Sequence, residues 1–203
     1  MRAYSGFVVA EPTRWLADEE SKPAPGPLLR VQALVNTVEL PVGPDRLADP
    51  ADARPWLIAN DLMASHASLG DADLALLRDV REALRTLLMR NGGGPSATEA
   101  QMAPLRAVAD GGAARAELNA DGVVRLAAAG DSVTERLVDL LLVMRDAQLD
   151  GSWARLKVCA NDECRWAFYD RSRNHGGTWC EMSACGNKLK NREFRARRRK
   201  ANS

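Results

Sequence analysis

Four cysteines stand in the last quarter of the 203-residue chain, at Cys159, Cys164, Cys180 and Cys185, and the chain has no others. They form two pairs of C-x4-C spacing separated by a hairpin-sized gap. Two close pairs flanking a short loop let a chain wrap four thiolates around one tetrahedral zinc ion. The nearest competing donor is His175, in the loop Arg173-Asn174-His175-Gly176-Gly177. Four sulfurs already close a structural site, so His175 is expected to be an exposed loop residue and not a ligand. Disulfides are the other use of paired cysteines. The start of the chain lacks a charged-then-apolar secretion pattern, since Phe7-Val8-Val9-Ala10 is short and runs into Glu11. A reducing cytoplasm is the expected location, and there clustered cysteines serve metals more than disulfides. The expected cofactor is one structural Zn2+.

A cysteine module of about fifty residues buries too little apolar surface to be stable on its own. Bound zinc supplies the missing free energy, on the order of 10 kcal/mol. Trp166 and Phe168 are two residues apart, so in a strand they share a face. With Trp179 they are expected to form a small apolar cluster beneath the metal. Base stacking is the alternative use of these rings.

The net charge of +1 conceals a strong segregation. Residues 151–203 hold 13 Lys/Arg against 5 Asp/Glu, while residues 1–150 are net acidic. A basic module on an acidic body points to a nucleic-acid partner or another anionic surface. From Lys188 onward, Lys188, Arg192, Arg195 and Arg199 recur at i+4 and i+3 steps, along one helical face. Leu189 and Phe194 lie off that face and can dock the helix. Arg171, Arg173, Lys190 and Arg198 complete the candidate phosphate contacts. Several such contacts together give a salt-dependent affinity through counterion release. Just before this helix, Gly186 is expected to let backbone N–H groups approach a metal-bound sulfur, and Asn187 to cap the helix.

Residues 1–27 read as an irregular segment with prolines at 23, 25 and 27. Helical spacing of Leu28, Val31, Leu34, Val35 and Val38 predicts a helix from Leu28 to Leu40. A short helix is expected from Pro50 or Ala51 to about Leu57 or beyond, anchored by Trp56 and Leu57. Asp71 looks like the N-cap of a helix with an apolar stripe of Leu74, Leu77, Val80, Leu84, Leu87 and Leu88. Another helix follows Ser96 or Thr98 and stops at Gly111-Gly112. Ala114–Leu118 and Val123–Leu126 flank Asn119-Ala120-Asp121-Gly122, a β-hairpin pattern. A long helix runs from Ser132 to Leu149. The fold class is therefore mainly α with a small β-hairpin (α+β) over residues 28–150, then a treble-clef-like zinc finger with a basic helix over residues 153–203.

From Val158 to Arg199 the chain resembles the CGNR-type zinc fingers. The matching positions are Cys159, Cys164, Trp166, Phe168, Asp170, Ser172, Asn174, Trp179-Cys180, Met182 and Cys185-Gly186-Asn187. In that family an α-rich domain called ABATE precedes the finger, and Leu34-Val35-Asn36-Thr37-Val38-Glu39-Leu40 is similar to its N-terminal "VNT" helix. The resemblance implies a bacterial, stress-linked transcription regulator that binds DNA through the finger. Two positions depart from the family pattern. Its signature arginine is Lys188 here, which keeps the charge but loses the planar bidentate fork. The loop before Trp179 carries His175-Gly176-Gly177-Thr178 in place of arginines.

No dinucleotide glycine fingerprint, phosphate loop, H-E-x-x-H or nucleophile elbow occurs, so enzyme activity is not expected. Asn36, Glu39 and Arg54 are the polar residues best placed to line a small-molecule effector pocket in the helical domain. The expected partners are nucleic acid (DNA ahead of RNA), a small-molecule effector and a second copy of the chain, with no membrane. The alternative reading is a protein-interaction module whose basic helix docks on an acidic partner.

Overall fold

A computed structural model describes residues 20–187 of the chain. Residues 1–19 and 188–203 lie outside the described residues, and with them the expected basic helix and its contacts Lys188, Lys190, Arg192, Arg195, Arg198 and Arg199.

The helical body is built from five α-helices and one hairpin. Helix α1 (Leu28–Val35) buries Leu28, Val31, Leu34 and Val35. It ends five residues before the apolar spacing predicts. Thr37 Oγ1 donates back to the Leu34 carbonyl at 2.8 Å, and the Asn36 side chain accepts the distant Ala167 N–H, so side-chain bonds at 36 and 37 accompany the helix end. Val38 instead bridges Asp45. Helix α2 (Pro50–Ala59) is capped by Asp49, whose carboxylate accepts the Ala51 N–H at 2.7 Å, and it continues through Pro55 with Trp56 and Leu57 buried. Helix α3 (Asp71–Asn91) buries Leu74, Leu77, Val80, Leu84 and Leu88, as the stripe requires. Its N-cap is Gly70 and not Asp71. Asp73 reaches back to accept the Gly70 N–H at 2.8 Å, which frees Asp71 to be the first helical residue.

Helices α4 (Glu99–Gly111) and α5 (Val133–Leu149) both open with capping boxes, Thr98 with Gln101 and Ser132 with Glu135. Between them strands β1 (Ala114–Leu118) and β2 (Val124–Ala128) pair antiparallel, with Leu118 opposite Val124. After α5 a 3-10 turn, Ser152–Arg155, leads into strand β3 (Leu156–Val158), which pairs antiparallel with β4 (Ala167–Tyr169). The body is thus mainly helical with one hairpin, and the finger brings a second.

The β3–β4 hairpin has two working faces, because neighbouring side chains point to opposite sides of a strand. Leu156, Val158, Ala167 and Tyr169 share one face and belong to the same buried cluster as Leu34, Leu84 and Leu140. Phe168 points the other way, into a second cluster with Cys159 and Cys180. One hairpin therefore seals the helical core and floors the cysteine site. The break at 150–152 separates the segments along the chain, while the packing runs across it.

Polar contacts lock this seam. Asn36 pairs with Ala167 as a strand edge does, its Oδ1 accepting the Ala167 N–H at 2.7 Å and its Nδ2 donating to the Ala167 carbonyl at 3.0 Å. Arg85, buried within α3, donates to the carbonyls of Val35 and Arg165 at 2.7 and 2.8 Å. Burial lowers its pKa, and Glu82 beside it offsets part of that cost. Asn91 donates to the carbonyls of Trp153 and Leu156.

Candidate metal centre

Each cysteine pair sits on a tight backbone turn. Cys159 extends the hairpin by donating its N–H to the Trp166 carbonyl at 2.9 Å. The chain then folds over Asn161, whose carbonyl accepts the N–H groups of Cys164 and Arg165 at 2.8 and 3.0 Å. Arg165 takes a left-handed conformation, φ 48°, to leave this turn. The second pair closes on a π-helical turn, Met182–Gly186, where the Glu181 carbonyl accepts the N–H groups of Cys185 and Gly186.

The four sulfurs all lie within 4.8 Å of one another. Cys164 Sγ is 3.7 Å from Cys180 Sγ, and Cys180 Sγ is 3.8 Å from Cys185 Sγ. Sulfurs bound at about 2.3 Å around a tetrahedral zinc stand roughly 3.8 Å apart. No disulfide joins them. Hydrogen bonds from the neighbouring S–H groups of Cys164 and Cys180 hold the Cys159 thiol well below its ordinary range, while sharing with Cys159 pushes Cys164 up to about 12 and Cys180 higher still. So tight a group cannot ionise fully by itself, and a dication is what lets every sulfur become a thiolate. The donor set fits one structural zinc. Asn161 adds an outer contact, its Nδ2 lying 3.8 Å from Cys185 Sγ. Trp166 and Trp179 pack around Phe168 and the cysteines, forming the apolar cluster expected beneath the metal.

The missing side chain at Gly186 leaves room above the turn. A Cβ there would lie 2.5 Å from Met182 Sδ and 3.2 Å from the Trp179 ring, so the glycine lets these side chains close over the turn. Asn187 has helical dihedrals, φ −69° and ψ −38°, so it continues the turn instead of standing extended as an N-cap. His175 is exposed, as expected, and its Nε2 faces the Arg155 guanidinium at 2.9 Å.

Lys157 and Asp170 were not singled out as a pair by the sequence, and they form the loop's anchor. Lys157 Nζ lies 2.9 Å from Asp170 Oδ2, with both side chains buried. Lys157 also donates to the carbonyls of His175 and Gly177. Asp170 accepts the N–H groups of Ser172 and Gly177 at 3.0 and 2.7 Å. Burial pushes the Asp170 carboxyl up, but the bonds from Ser172, Lys157 and Gly177 outweigh it and hold the group well below the usual carboxylate range. Strand alternation was the available signal, since Lys157 shares a face with Cys159.

Of the candidate phosphate contacts, Arg171 and Arg173 fall within the described residues. Both are exposed on the loop between the knuckles, and Arg171 also donates to the Pro23 carbonyl at 3.0 Å. The three candidate pocket residues each have partners of their own. Asn36 is buried in the seam, Arg54 donates to the carbonyls of Ser65 and Ala67, and Glu39 sits in the turn after α1, accepting the Gly43 N–H through its carbonyl. A cleft of about 310 Å3 opens elsewhere, between the Pro25–Leu28 turn and Val143, Asp146 and Ala147 of α5. Among the described residues no helix is long and apolar enough to cross a membrane.

Two family models match the chain. Residues 155–198 match the CGNR zinc finger, which spans all four cysteines. Residues 30–149 match ABATE, described as "Putative stress-induced transcription regulator". No curated protein matches the chain. The ABATE match spans more than half of the residues and ends where α5 ends, so the chain belongs to the ABATE family and carries a CGNR zinc finger behind that domain.

Proposed function

We propose that this protein is a transcription regulator that binds duplex DNA through the phosphates, using the zinc finger as a rigid mount for its basic residues, and that it is not an enzyme. The observation that carries this reading is the coincidence of a closed zinc site with the chain's positive charge. Residues 151–203 hold 13 of the 28 Lys/Arg in just over a quarter of the length. Not all of that charge is free for a partner. Lys157 is neutralised by Asp170, and Arg165 faces Asp162 at 3.2 Å. Arg171 and Arg173 remain exposed on the finger, and the basic stretch from Lys188 adds the rest. Four thiolates leave zinc no open position for substrate or water, which argues for a structural ion.

Titration of labelled duplex DNA at several salt concentrations tests the reading. Affinity is expected to fall linearly on a log–log plot, with a slope of roughly −0.9 per phosphate contact. Replacing Arg192, Arg195 and Arg199 together with alanine is expected to flatten the slope and weaken binding, with zinc content unchanged. Absence of binding at low salt, or affinity indifferent to salt, overturns it. Competition by hairpin RNA at lower concentration than duplex DNA would move the reading to RNA.

A further inference from the structure

The β1–β2 hairpin is the least buried regular element in the described residues. Every residue of β1 is exposed, and Leu118, Val124 and Leu126 are 71%, 64% and 46% exposed. The register places Ala114, Ala116, Leu118, Val124, Leu126 and Ala128 on one face and Arg115, Glu117 and Arg125 on the other. A two-stranded ribbon with an uncovered apolar face is marginal in water by itself. Its two edges differ. The outward N–H of Ala128 on β2 donates to Asp139 of α5 at 2.7 Å, so the body occupies that edge at its base. The bonds Ala129 N–H to Ala113 and Asn119 N–H to Val123 fix the alternation, so odd-numbered residues of β1 bond to β2. The N–H and C=O groups of Ala114, Ala116 and Leu118 therefore point outward along an edge that bonds to no other described residue.

We propose that a second copy of this chain occupies that edge, β1 pairing antiparallel with β1 about a two-fold axis at Ala116. The sequence Ala114-Arg115-Ala116-Glu117-Leu118 is self-complementary about its centre. Ala116 meets Ala116, Ala114 meets Leu118, and every outward N–H finds a carbonyl. On the polar face Arg115 and Glu117, already ion-paired at 2.9 Å within each strand, stand opposite Glu117 and Arg115 of the other copy and extend the pairing across the axis. These are the closer, non-hydrogen-bonded pairs, where opposite charges stabilise. The same register carries each exposed tip, Leu118 and Val124, to the base of the other hairpin. There the apolar face ends at buried Ala128, against α5. The result is an isologous four-stranded sheet with the open edges removed.

The test is the mass of the full zinc-loaded chain in solution by sedimentation equilibrium. The wild type is expected at twice 22.1 kDa. Ala116→Pro removes one outward N–H and none of the hairpin's own bonds, and proline is tolerated on an edge strand. It is expected at 22.1 kDa with unchanged circular dichroism and zinc content. Glu117→Arg sets arginine against arginine twice and is expected to raise the dimer Kd roughly ten-fold or more. Adding Arg115→Glu to it restores the pairing in reverse and is expected to bring the dimer back. A wild type that stays monomeric at all concentrations overturns the proposal. So does a dimer indifferent to Ala116→Pro and Glu117→Arg, or a double variant no better than the single one. No nucleic acid enters the measurement, so it leaves the phosphate-binding reading untouched.

Discussion

Cys180→Ser is expected to lose the zinc and with it the folded finger. Cys180 Sγ lies 3.7 Å from Cys164 Sγ and 3.8 Å from Cys185 Sγ, and the residue belongs to the small cluster with Phe168. Removing one of four thiolates opens a site whose metal contributes on the order of 10 kcal/mol. A whole domain is stable by only about 5–15 kcal/mol, so the finger has little to replace that loss. Metal analysis is expected to fall from one zinc per chain toward none, and the near-ultraviolet signal of Trp166 and Trp179 to collapse. A variant that keeps full zinc and an unchanged tryptophan signal would show that Cys180 is not a ligand.

Asp170→Asn is expected to be the most damaging single change away from the metal. It strips the buried Lys157 ammonium of its countercharge, leaving it only neutral acceptors, the His175 and Gly177 carbonyls and an amide oxygen. Breaking a buried pair by removing one partner costs about 3–5 kcal/mol, far more than the pair's net worth. Gly177 tolerates no remedy by repacking, since even a Cβ there would lie 2.6 Å from the Asp170 carboxyl. The pH dependence has a definite sign. The Asp170 pKa is depressed in the folded protein, so its contribution is present above the unfolded value of about 3.9 and is lost as pH falls through the folded one. Denaturant titrations should show a constant gap between wild type and variant from neutral pH to about 5, narrowing below about 4. A gap under about 1 kcal/mol at neutral pH would mean the pair contributes no more than an exposed one.

Much of the fold was legible because its signals are local. The Leu74–Leu88 stripe, the Thr98 and Ser132 caps and the C-x4-C pairs each need only a few neighbouring residues to be read. Long-range choices were hidden. Asn36 looked like a pocket residue because a buried amide near an apolar helix invites a ligand. Its ligand is the backbone of Ala167, 131 positions away. The same contact accompanies the early end of α1, which apolar periodicity alone extends to Leu40. Lys157 is one of the 13 basic residues of the last quarter, and alternation with Cys159 and Phe168 places it on an enclosed face. Glu20 gave no signal at all. It sits just inside the described residues and accepts bonds from Gln32, Asn36 and Trp166, with burial raising its pKa. The open edge of β1 was equally silent, because a hairpin pattern does not say which edge its own body will cover.

Hydrogen exchange of the zinc-loaded chain against the chelated chain is the most direct test that the metal site and the helical body are one packed unit. The β3–β4 hairpin floors one and seals the other, and Asn36, Arg85 and Asn91 tie it to α1 and α3. Chelation is therefore expected to raise exchange in residues 156–187 and also in α1 and the C-terminal half of α3. Faster exchange confined to the cysteine segment, with α1 and α3 as protected as before, would contradict the account.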